Sequence, residues 1–581
     1  MTQPTINVAA DAVIAFLAQQ GHTSLHNFPG GTIAPLLDAC GRFGVKVYTS
    51  KNEQGAGYAA FAQAKISGLP GLVAVTSGPG VTNVLTPVCD AYYDSVPMLV
   101  FTGQVGVGDL RGDKPVRQYG FQEVDTPALM ASITKAQFQP HTVEELVDAL
   151  PKAWAIAVEG RPGPVSIDLP MSVQRSAYSQ VISPIKAAVQ SPDSDACYQF
   201  LDELNTAIKH ATKPLIICGN GMATASRSQQ LARIRQQWRA PISHSLLGVG
   251  VADSADSGTL GYHGHTGSQI SGNAIADADL ILVLGSRLDI RQTGTLRETF
   301  GPHAKIFRVD FDEGELSCSK IRHDAVLLCD LDNFLALWQT QPPMVSENHL
   351  DSWYQQIEAW REQYPWPYPH AYGLRPNTVV ERLSDLFPAN TIVTTGVGAH
   401  QHWVARHFRF ALPNRRLFTS AGHGAMGFDL PTAIGAAIHA PDSCVLCFVG
   451  DGSFQMNIQE LAMIRELNLN IKIVVVDNHR LALVSQFQLM NWDTDTACGH
   501  KQSPDFVTIA KGYGIDALHC GNGDDFDDIS QQFANHNGPM LLHLELDERH
   551  DVLPMLLGGQ AINKMWPFYD MQGQARELSD D

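Results

Sequence analysis

The sequence predicts an α/β protein made of three doubly wound parallel-sheet domains. Short apolar runs alternate with helical apolar patterns along most of the 581 residues, and this alternation is typical of parallel sheets with helices on both faces. A polar connector containing Ser and Pro, and a later stretch rich in Trp, Tyr and Pro, divide the chain. We therefore predict domains at residues 1–185, 190–340 and 375–581.

The first two domains each contain apolar runs that predict buried strands. In the first domain, the helical pattern of Gln54–Ile66 predicts a helix that follows a strand. The connector between these domains covers residues 186–195, and the aromatic stretch Tyr364–Tyr372 precedes the third domain. The predicted strands are Val45–Tyr48, Leu72–Thr76, Met98–Thr102, Leu215–Cys218, Leu280–Leu284 and Ile306–Val309.

The third domain contains a β-α-β unit whose strands both end in polar residues. Apolar runs at Cys444–Val449 and Ile471–Val476 predict the two strands, and the apolar spacing of Met456–Leu467 predicts the helix between them. A right-handed crossover brings the ends of both strands to one edge of a parallel sheet. We therefore expect Asp451 and Asn478 to converge at that edge.

The overall composition is ordinary for a globular protein, with 44% hydrophobic and 17% charged residues. The net charge of −19 argues against a nucleic-acid partner, because binding phosphates requires clustered Lys and Arg. No apolar run reaches the length of a membrane span, and no basic residue precedes Arg42, so we expect neither a membrane segment nor a signal peptide. We expect a cytoplasmic protein whose ten scattered cysteines are reduced.

The converging strand ends favour a divalent cation that also carries a phosphate group. Gly450-Asp451-Gly452-Ser453 follows the first strand, and 24 residues separate Gly452 from the pair Asp477-Asn478. Asp451 and Asn478 offer hard oxygen ligands, which suit Mg²⁺ together with water and phosphate. Either motif alone is usually a simple turn. The prediction of a metal-diphosphate site therefore depends on the spacing and the strand-helix-strand context together.

With this spacing, the third domain resembles the thiamine diphosphate (ThDP) enzymes, whose signature is Gly-Asp-Gly followed at a similar distance by Asn-Asn. Asp477 stands where the first Asn is usual, whereas Asn478 keeps the ligand position. The resemblance implies that Asp451, Asn478 and the backbone carbonyl of Arg480 hold Mg²⁺. The side chain of Arg480 is immaterial to that role.

The first domain resembles the pyrimidine domain of acetohydroxyacid synthase-like ThDP enzymes. The matching segments are Phe28–Gly31, Glu53–Gly55, Thr76–Asn83 and Asp94–Pro97, and they occur in the family's order. The resemblance implies that Glu53 is catalytic and bonds N1′ of the aminopyrimidine, where a buried carboxylic acid can share a proton. Alone, Glu53 would more often be a solvated residue at a helix start.

The loop Phe121-Gln122-Glu123 also matches the synthases, whereas pyruvate decarboxylases carry a His-His pair in this domain. By resemblance, Phe121 and Gln122 belong to the catalytic site. Gly396–Gln401 resembles the diphosphate loop of the family, with Ala399 in place of a polar residue, and Met426 takes the position of the side chain that bends the cofactor. The implied ThDP contacts are Pro29, Gly30, Glu53, Gly80, Asn83, Val397, Gly398, Ala399, His400, Met426, Asp451, Gly452, Ser453, Asn478, Leu481 and Leu483.

The second domain contains a weak nucleotide-binding signal. Cys218–Gly221 follows a predicted strand, but the third glycine of the dinucleotide fingerprint is missing. Gly261–Gly264, Gly285–Arg291, Val309–Asp312 and Arg161–Pro164 resemble the FAD-binding synthases of the same group. The implied FAD contacts are Arg161, Gly219, Asn220, Gly221, His263, Gly264, Gly285, Arg287, Asp289, Arg291, Asp310 and Asp330.

Two departures from the family bear on the acceptor substrate. Phe487 replaces the Trp that shapes the acceptor pocket in synthases of branched-chain precursors, and Met171 replaces a Lys. By resemblance, Arg287, Phe487 and Lys135 form the acceptor pocket. A smaller aromatic residue changes substrate discrimination by only about 1–3 kcal/mol, so the acceptor stays open among 2-oxo acids, aldehydes, ketones and keto-sugars.

The resemblance implies an acetolactate synthase-like carboligase that uses ThDP, Mg²⁺ and FAD. It would decarboxylate pyruvate, a 2-oxo acid donor, and add the hydroxyethyl unit to a second carbonyl compound. The alternatives are a flavin-dependent 2-oxo acid oxidase and a simple decarboxylase. The resemblance also implies a homo-oligomer, either a dimer or a tetramer, with active sites at the subunit interface.

Overall fold

The structure, a computed structural model, describes residues 4–184, 194–346, 348–367, 374–499, 502–546 and 550–576. Within these residues the strands form three six-stranded sheets. Every strand pairing within these sheets is parallel, which confirms the predicted fold class. Residues 186–193 of the predicted connector and residues 368–372 of the aromatic stretch lie outside the described residues.

The first sheet has the strand order β2-β1-β3-β4-β6-β5. Its strands are β1 Ser24–Phe28, β2 Lys46–Thr49, β3 Gly71–Val75, β4 Met98–Gln104, β5 Ala136–Phe138 and β6 Pro164–Pro170. The flanking helices are α1 Ala9–Gln19, α2 Ala34–Arg42, α3 Glu53–Ser67, α4 Pro79–Tyr93, α5 Thr126–Met130, α6 Val143–Val158 and α7 Met171–Gln174.

The second sheet has the order β12-β11-β10-β7-β8-β9. Its strands are β7 Pro214–Cys218, β8 Ile242–His244, β9 Thr259–Tyr262, β10 Leu280–Leu284, β11 Lys305–Asp310 and β12 Ala325–Leu328. The helices are α8 Ser194–His210, α9 Ala225–Trp238, α10 Gln269–Asp277, α11 Ile290–Thr293, α12 Glu313–Ser317, α13 Leu331–Thr340 and α14 Asp351–Gln363.

The third sheet has the order β14-β13-β15-β16-β18-β17. Its strands are β13 Thr391–Thr395, β14 Arg416–Thr419, β15 Cys444–Gly450, β16 Ile471–Asp477, β17 Asp516–Cys520 and β18 Met540–Glu545. The helices are α15 Pro376–Leu386, α16 Ala399–His407, α17 Asp429–His439, α18 Asp451–Met456, α19 Leu461–Leu467, α20 Ala482–Trp492, α21 Phe506–Gly512 and α22 Phe526–Asn535.

The predicted strands agree with the observed ones to within two residues, but one predicted helix was wrong. The segment predicted as Met456–Leu467 is divided among the end of α18, a 3₁₀ turn at Ile458–Glu460 and α19. Asn457 leaves the helical conformation with φ −134°. Its side-chain amide donates to the carbonyl of Gly427 at 2.7 Å and to Oε1 of Gln54 at 3.0 Å. These tertiary hydrogen bonds outweigh the local helical pattern.

The first and third domains share one hydrophobic core inside the chain, in which α3 packs against α17. Gly435 permits the close approach, since a Cβ there would lie 2.4 Å from the carbonyl oxygen of Ala59. Phe428 contacts the rings of Tyr58 and Phe61 edge-on, with centroids 5.0 and 5.2 Å apart. This packing fixes how the two domains are oriented within one chain. Of the helices described, none combines the length and the apolar character needed to cross a membrane.

Candidate active site

The carboxyl edge of the third sheet brings the predicted metal ligands together. Strands β15 and β16 are parallel neighbours in which Gly450 is in register with Val476. Asp451 and Asp477 therefore follow side by side, and Asn478 comes one residue later. Asp451 is also the first residue of α18 and is buried. The register thus explains why the spacing between the two motifs matters.

The carboxyls of Asp451 and Asp477 are hydrogen-bonded to each other, and their pKa values are shifted in opposite directions. Burial, followed by the charge of Asp477, raises the pKa of Asp451 to about 7. Burial alone would raise the pKa of Asp477, but hydrogen bonds from His543 at 3.0 Å and Ser503 at 2.7 Å hold it below its usual range. A divalent cation beside Asp451 would compete with its proton.

The edge opens into a cavity of about 90 Å³, which we call the strand-end cavity. Trp403, missed by the sequence analysis, contributes to its wall, and all of the residues that line it fall between Val397 and Val484. Twelve of the lining residues were predicted as metal or ThDP contacts: Val397, Gly398, Ala399, His400, Met426, Asp451, Gly452, Ser453, Asn478, Arg480, Leu481 and Leu483.

The strand-end cavity suits an anion and a hard cation. Helix α16 begins at Ala399 beside the cavity, and the positive end of a helix favours a bound phosphate. Across the described residues, no three His, Cys, Asp or Glu side chains group as a metal site. A cation here would therefore use Asp451 with neutral oxygens such as the Asn478 amide and a backbone carbonyl, which is a set that fits Mg²⁺.

The first domain gathers its predicted residues around Glu53. Glu53 is buried at the start of α3, and its Oε2 accepts a hydrogen bond from Asn83 at 2.9 Å. Two glycines pack closely here. A Cβ added to Gly80 would lie 3.6 Å from Oε1 of Glu53, and a Cβ added to Gly30 would lie only 2.4 Å from Cβ of Thr76. Pro29, Gly30, Gly80 and Asn83 thus lie at the carboxyl edge of the first sheet, next to Glu53.

The loop that carries Phe121 and Gln122 packs against the same edge. Gln122 has a φ of +60°, and Gly78, with a φ of +63°, lies so close that a Cβ there would be 2.9 Å from the carbonyl oxygen of Gln122. The side chain of Phe121 is 83% exposed. The structure therefore brings Phe121 and Gln122 to the edge where Glu53 lies, with the Phe121 ring facing outward.

Within one chain, Glu53 and the strand-end cavity are separate, since no residue that lines the cavity comes from the first domain. Next to Glu53, Gln54 accepts a hydrogen bond from Asn457, and the Lys51 amide donates to Oε1 of Glu460 at 2.8 Å. The start of α3 is thereby fixed to the third domain at a place other than the cavity.

A larger cavity of about 720 Å³, the central cavity, lies where the three domains meet. The first domain contributes Lys65 and Asp94, and burial raises the pKa of Asp94 to about 7. Val397 and Leu483 line both cavities, so the two adjoin. Nine predicted FAD contacts line the central cavity: Arg161, Asn220, Gly221, His263, Gly285, Arg287, Asp289, Arg291 and Asp310.

The other three predicted FAD contacts lie beside the wall of the central cavity. A Cβ on Gly219 would lie 2.1 Å from the carbonyl oxygen of Gly285, and one on Gly264 would lie equally close to that of Arg291. Both glycines therefore allow backbone segments of the wall to touch. Asp330 caps α13 and forms an ion pair with Arg227 at 3.1 Å.

The predicted acceptor residues are dispersed within the single chain. Phe487 on α20 is 54% exposed and contacts Trp492 edge-on, whereas Arg287 lines the central cavity. The ammonium of Lys135 donates to the carbonyls of Ile156 and Glu159 near the end of α6, and burial lowers its pKa. Lys135 lines neither cavity.

Asp429, the first residue of α17, also belongs to this site and was not predicted from the sequence. Its side chain is fully buried and accepts hydrogen bonds from His400 and Ser453, which line the strand-end cavity. An acidic residue at a helix start is usually exposed, so no spacing rule singles it out. The only available signal was its position in the otherwise apolar segment from Ala425 to Leu430.

Comparison with known proteins agrees with this geometry. Three family models of thiamine pyrophosphate enzymes match the chain: the N-terminal TPP binding domain at residues 7–129, the central domain at 201–337 and the C-terminal TPP binding domain at 396–544. The matched segments correspond in order to the three sheets. The strand-end cavity and its twelve predicted residues lie in the C-terminal one.

Relatives match along nearly the whole chain. The large subunit of acetolactate synthase isozyme 1 of Escherichia coli (strain K12) is 36% identical, covering 96% of this chain and 97% of the relative. The isozyme 2 large subunit of the same organism is 34% identical over 96% of this chain and 98% of the relative. The large subunit from Lactococcus lactis subsp. lactis (strain IL1403) is 34% identical over 95% of each. The chain therefore belongs to the family of thiamine pyrophosphate enzymes and is similar to the acetolactate synthases within it.

Proposed function

We propose that the chain is a ThDP- and Mg²⁺-dependent, FAD-containing carboligase that decarboxylates pyruvate and adds the two-carbon unit to a second carbonyl compound. The observation that carries the proposal is the convergence of twelve sequence-predicted residues on the strand-end cavity. Similarity to acetolactate synthases over nearly the full length supports the same class of carbon–carbon bond formation.

In this proposal, Mg²⁺ is held by Asp451, by the amide oxygen of Asn478 and by the backbone carbonyl of Arg480. The diphosphate lies against the start of α16, where His400 and Ser453 also face the cavity. A volume of about 90 Å³ is far below the roughly 300–1,000 Å³ of sites that enclose a whole ligand. The cavity therefore suits the anionic end of the cofactor, and the ring system would extend beyond it.

Glu53 is proposed to hold and move a proton at N1′ of the pyrimidine ring, supported by its hydrogen bond from Asn83. Bound ThDP supplies a carbon nucleophile and an electron sink for the decarboxylation of 2-oxo acids. Met426 lines the strand-end cavity, and its terminal methyl would lie 3.3 Å from a Cβ on Gly452. That position suits the predicted role of Met426, which is to support the cofactor in a bent form.

The proposal requires at least a homodimer, either alone or within a tetramer, because Glu53 and the strand-end cavity are separate in one chain. Two surfaces support such an assembly, since exposed apolar side chains cluster on both. On the first domain, the loop from Val116 to Phe121 exposes 45% of Val116 and 55% of Tyr119. On the third domain, α20 exposes 54% of Phe487 and 64% of Trp492. A two-fold axis would bury both surfaces of each subunit at once.

FAD is proposed to occupy the central cavity. Its volume of about 720 Å³ is within the range of cofactor sites. Arg161, Arg287 and Arg291 supply cations for a diphosphate, and Asp310 at the end of β11 suits a ribose hydroxyl. In a carboligase, FAD would have no net redox role, because the reaction transfers no electrons to the acceptor.

A second candidate function is a flavin-dependent pyruvate oxidase. The observation that favours it is the contact between the two cavities through Val397 and Leu483. An oxidase would consume oxygen in proportion to the pyruvate decarboxylated, whereas a carboligase would consume little. Oxygen uptake measured with an electrode therefore separates the two candidates.

The proposal is tested by product analysis. Purified protein with ThDP, Mg²⁺ and FAD is incubated with ¹³C-labelled pyruvate and a panel of 2-oxo acids, aldehydes, ketones and keto-sugars. Mass spectrometry should detect labelled products in which two carbons of pyruvate are joined to one class of acceptor. Release of CO₂ with acetaldehyde as the only product would contradict carboligation, and absence of CO₂ release would contradict the whole proposal.

The acceptor pocket is tested by Phe487→Trp. A larger ring narrows the proposed pocket, so we expect the ratio of products from small and large acceptors to rise by about tenfold. The matched control is Tyr198→Trp, which enlarges an aromatic residue that is 49% exposed on α8. Equal product ratios in both variants and in the wild type would remove Phe487 from the acceptor pocket.

A further inference from the structure

Asp429 connects three chain segments around the strand-end cavity without lining it. Its side chain is fully buried at the first position of α17. Oδ1 accepts hydrogen bonds from the backbone amide of Gly396 and from Nε2 of His400, the latter at 3.0 Å. Oδ2 accepts a hydrogen bond from the hydroxyl of Ser453.

These bonds tie together the segments that form the cavity. Gly396 belongs to the loop between β13 and α16, and Ser453 belongs to the first turn of α18. The hydroxyl of Ser453 also accepts a hydrogen bond from the amide of Gly427 at 2.7 Å, which joins the segment before α17 to the same set. One buried carboxylate therefore fixes three neighbouring chain segments relative to one another.

The carboxylate also determines how His400 is presented. A carboxylate can only accept hydrogen bonds, so Nε2 of His400 must carry its proton toward Asp429. Nδ1 then lies on the other side, where a Cβ on Gly398 would be 2.6 Å away and a Cβ on Gly450 3.2 Å away. Gly398 and Gly450 both line the cavity. Nδ1 of His400 therefore lies beside the two glycine segments that the diphosphate would contact.

We propose that Asp429 is a positioning residue for the cofactor diphosphate, which acts by holding His400 with Nδ1 toward the strand-end cavity. With a proton on Nδ1, His400 can donate a hydrogen bond to an anion in the cavity. The carboxylate of Asp429, bonded to Nε2, stabilises the positive charge that the ring then carries. His400 carries more of the anion binding in this chain because the neighbouring Ala399 has no polar side chain to contribute. The inference rests on the proposed assignment of this cavity to the diphosphate.

Other charged groups surround His400. His402 lies on the same helix and interacts electrostatically with His400, and Asp451 of α18 and Arg480 line the same cavity. Of these neighbours, only Asp429 combines a hydrogen bond to Nε2 with complete burial. Asp429 is thus the group best placed to control the orientation of the ring.

The test is a double-mutant cycle on ThDP binding, measured by calorimetry at saturating Mg²⁺. Asp429→Asn and His400→Ala should each weaken ThDP binding by roughly tenfold or more, and the double variant should bind no worse than the weaker-binding single variant. Inorganic pyrophosphate should show the same pattern. The control Asp442→Asn changes an exposed carboxylate near α17 and should bind like the wild type.

Several results would overturn the inference. Unchanged ThDP binding by Asp429→Asn, or strictly additive losses in the double variant, would show that Asp429 does not act through His400. Asn478→Ala separates this failure from a failure of the proposed function. If Asn478→Ala weakens ThDP binding while Asp429→Asn does not, only the positioning role is wrong. If Asn478→Ala and His400→Ala both bind normally, the assignment of the cavity itself is wrong.

A spectroscopic measurement on the wild type covers the case in which Asp429→Asn fails to fold. With ¹⁵N-labelled histidine, the His400 signals are identified as those missing from His400→Ala. Before cofactor is added, Nε2 should be protonated, and ThDP with Mg²⁺ should shift Nδ1 toward the protonated position. A His400 protonated at Nδ1 alone would contradict the inference.

Discussion

The two cavities of this chain differ in how much of the chain builds them. The central cavity of about 720 Å³ is lined by residues from all three domains of one subunit, such as Arg161, Asp310 and Gln401. The strand-end cavity of about 90 Å³ is lined by the third domain alone. A flavin-sized ligand can therefore be enclosed by one chain, whereas the proposed ThDP site needs a second surface to supply Glu53. Under the proposed function, folding of one chain would therefore complete the FAD site but only half of the ThDP site.

The intrachain junction of the first and third domains explains this difference. Glu460 accepts a hydrogen bond from the backbone amide of Lys51, and Gln54 accepts one from the side-chain amide of Asn457. These contacts hold the start of α3 against its own third domain, away from the strand-end cavity. In the proposed homodimer, Glu53 at the carboxyl edge of the first sheet would therefore serve the cavity of the partner chain.

The largest effect is expected for Asp451→Asn. Loss of the only proposed carboxylate ligand should weaken Mg²⁺ or Mn²⁺ binding by at least about a hundredfold and abolish CO₂ release from pyruvate. Mn²⁺ binding is measured by electron paramagnetic resonance. FAD content should stay at the wild-type level, because Asp451 does not line the central cavity. The control is Asp442→Asn, which should retain metal binding. Loss of FAD together with the metal would contradict the independence of the two cavities.

A second prediction concerns the intrachain junction and pH. Burial raises the pKa of Glu460 from 4.5 to about 7. The folded state holds this proton more tightly than the unfolded state does. The resulting contribution to the free energy of unfolding, roughly 3 kcal/mol, is fully present below pH 4.5 and is lost as the pH rises through about 7. Glu460→Gln should remove this contribution, so its urea-unfolding midpoint should exceed that of the wild type at pH 8 but not at pH 4.5.

The matched control for Glu460 is Glu466→Gln, which changes an exposed carboxylate paired with Lys51 at 2.9 Å. Surface ion pairs contribute little, so this variant should follow the pH dependence of the wild type. If Glu460→Gln were no more stable than the wild type at pH 8, burial of Glu460 would not be the source of the pH dependence.

The smallest effect is expected at the central cavity. Arg161 forms ion pairs with Asp312 at 3.2 Å and Glu315 at 2.7 Å, and it is one of the cations proposed for FAD. Arg161→Met should lower FAD affinity by about tenfold, measured from flavin absorbance after dialysis, and leave ThDP affinity unchanged. Arg233→Met, a change at an exposed residue of α9, serves as the control. A parallel loss of ThDP binding would show that the two sites are coupled.

The sequence predicted the sheets well because buried parallel strands appear as short, nearly continuous apolar runs. The spacing also predicted that Asp451 and Asn478 meet, since the register of β15 and β16 converts a spacing in the chain into proximity. The other ten predicted residues of the strand-end cavity came from the resemblance to the ThDP enzymes. The break at Asn457 and the buried Asp429 escaped prediction, because both depend on hydrogen bonds to distant segments. The domain boundaries and the individual roles of the predicted site residues stay predictions.

The separation of Glu53 from the strand-end cavity is the central claim, and a subunit-complementation measurement tests it most directly. Glu53→Gln and Asp451→Asn chains carrying different tags are co-expressed, and the mixed dimer is purified through both tags. Each variant alone should be nearly inactive. If the site combines Glu53 of one subunit with the cavity of the other, the mixed dimer contains one intact site and should show about half of the wild-type CO₂ release from pyruvate. A mixed dimer as inactive as its two parents would contradict the account.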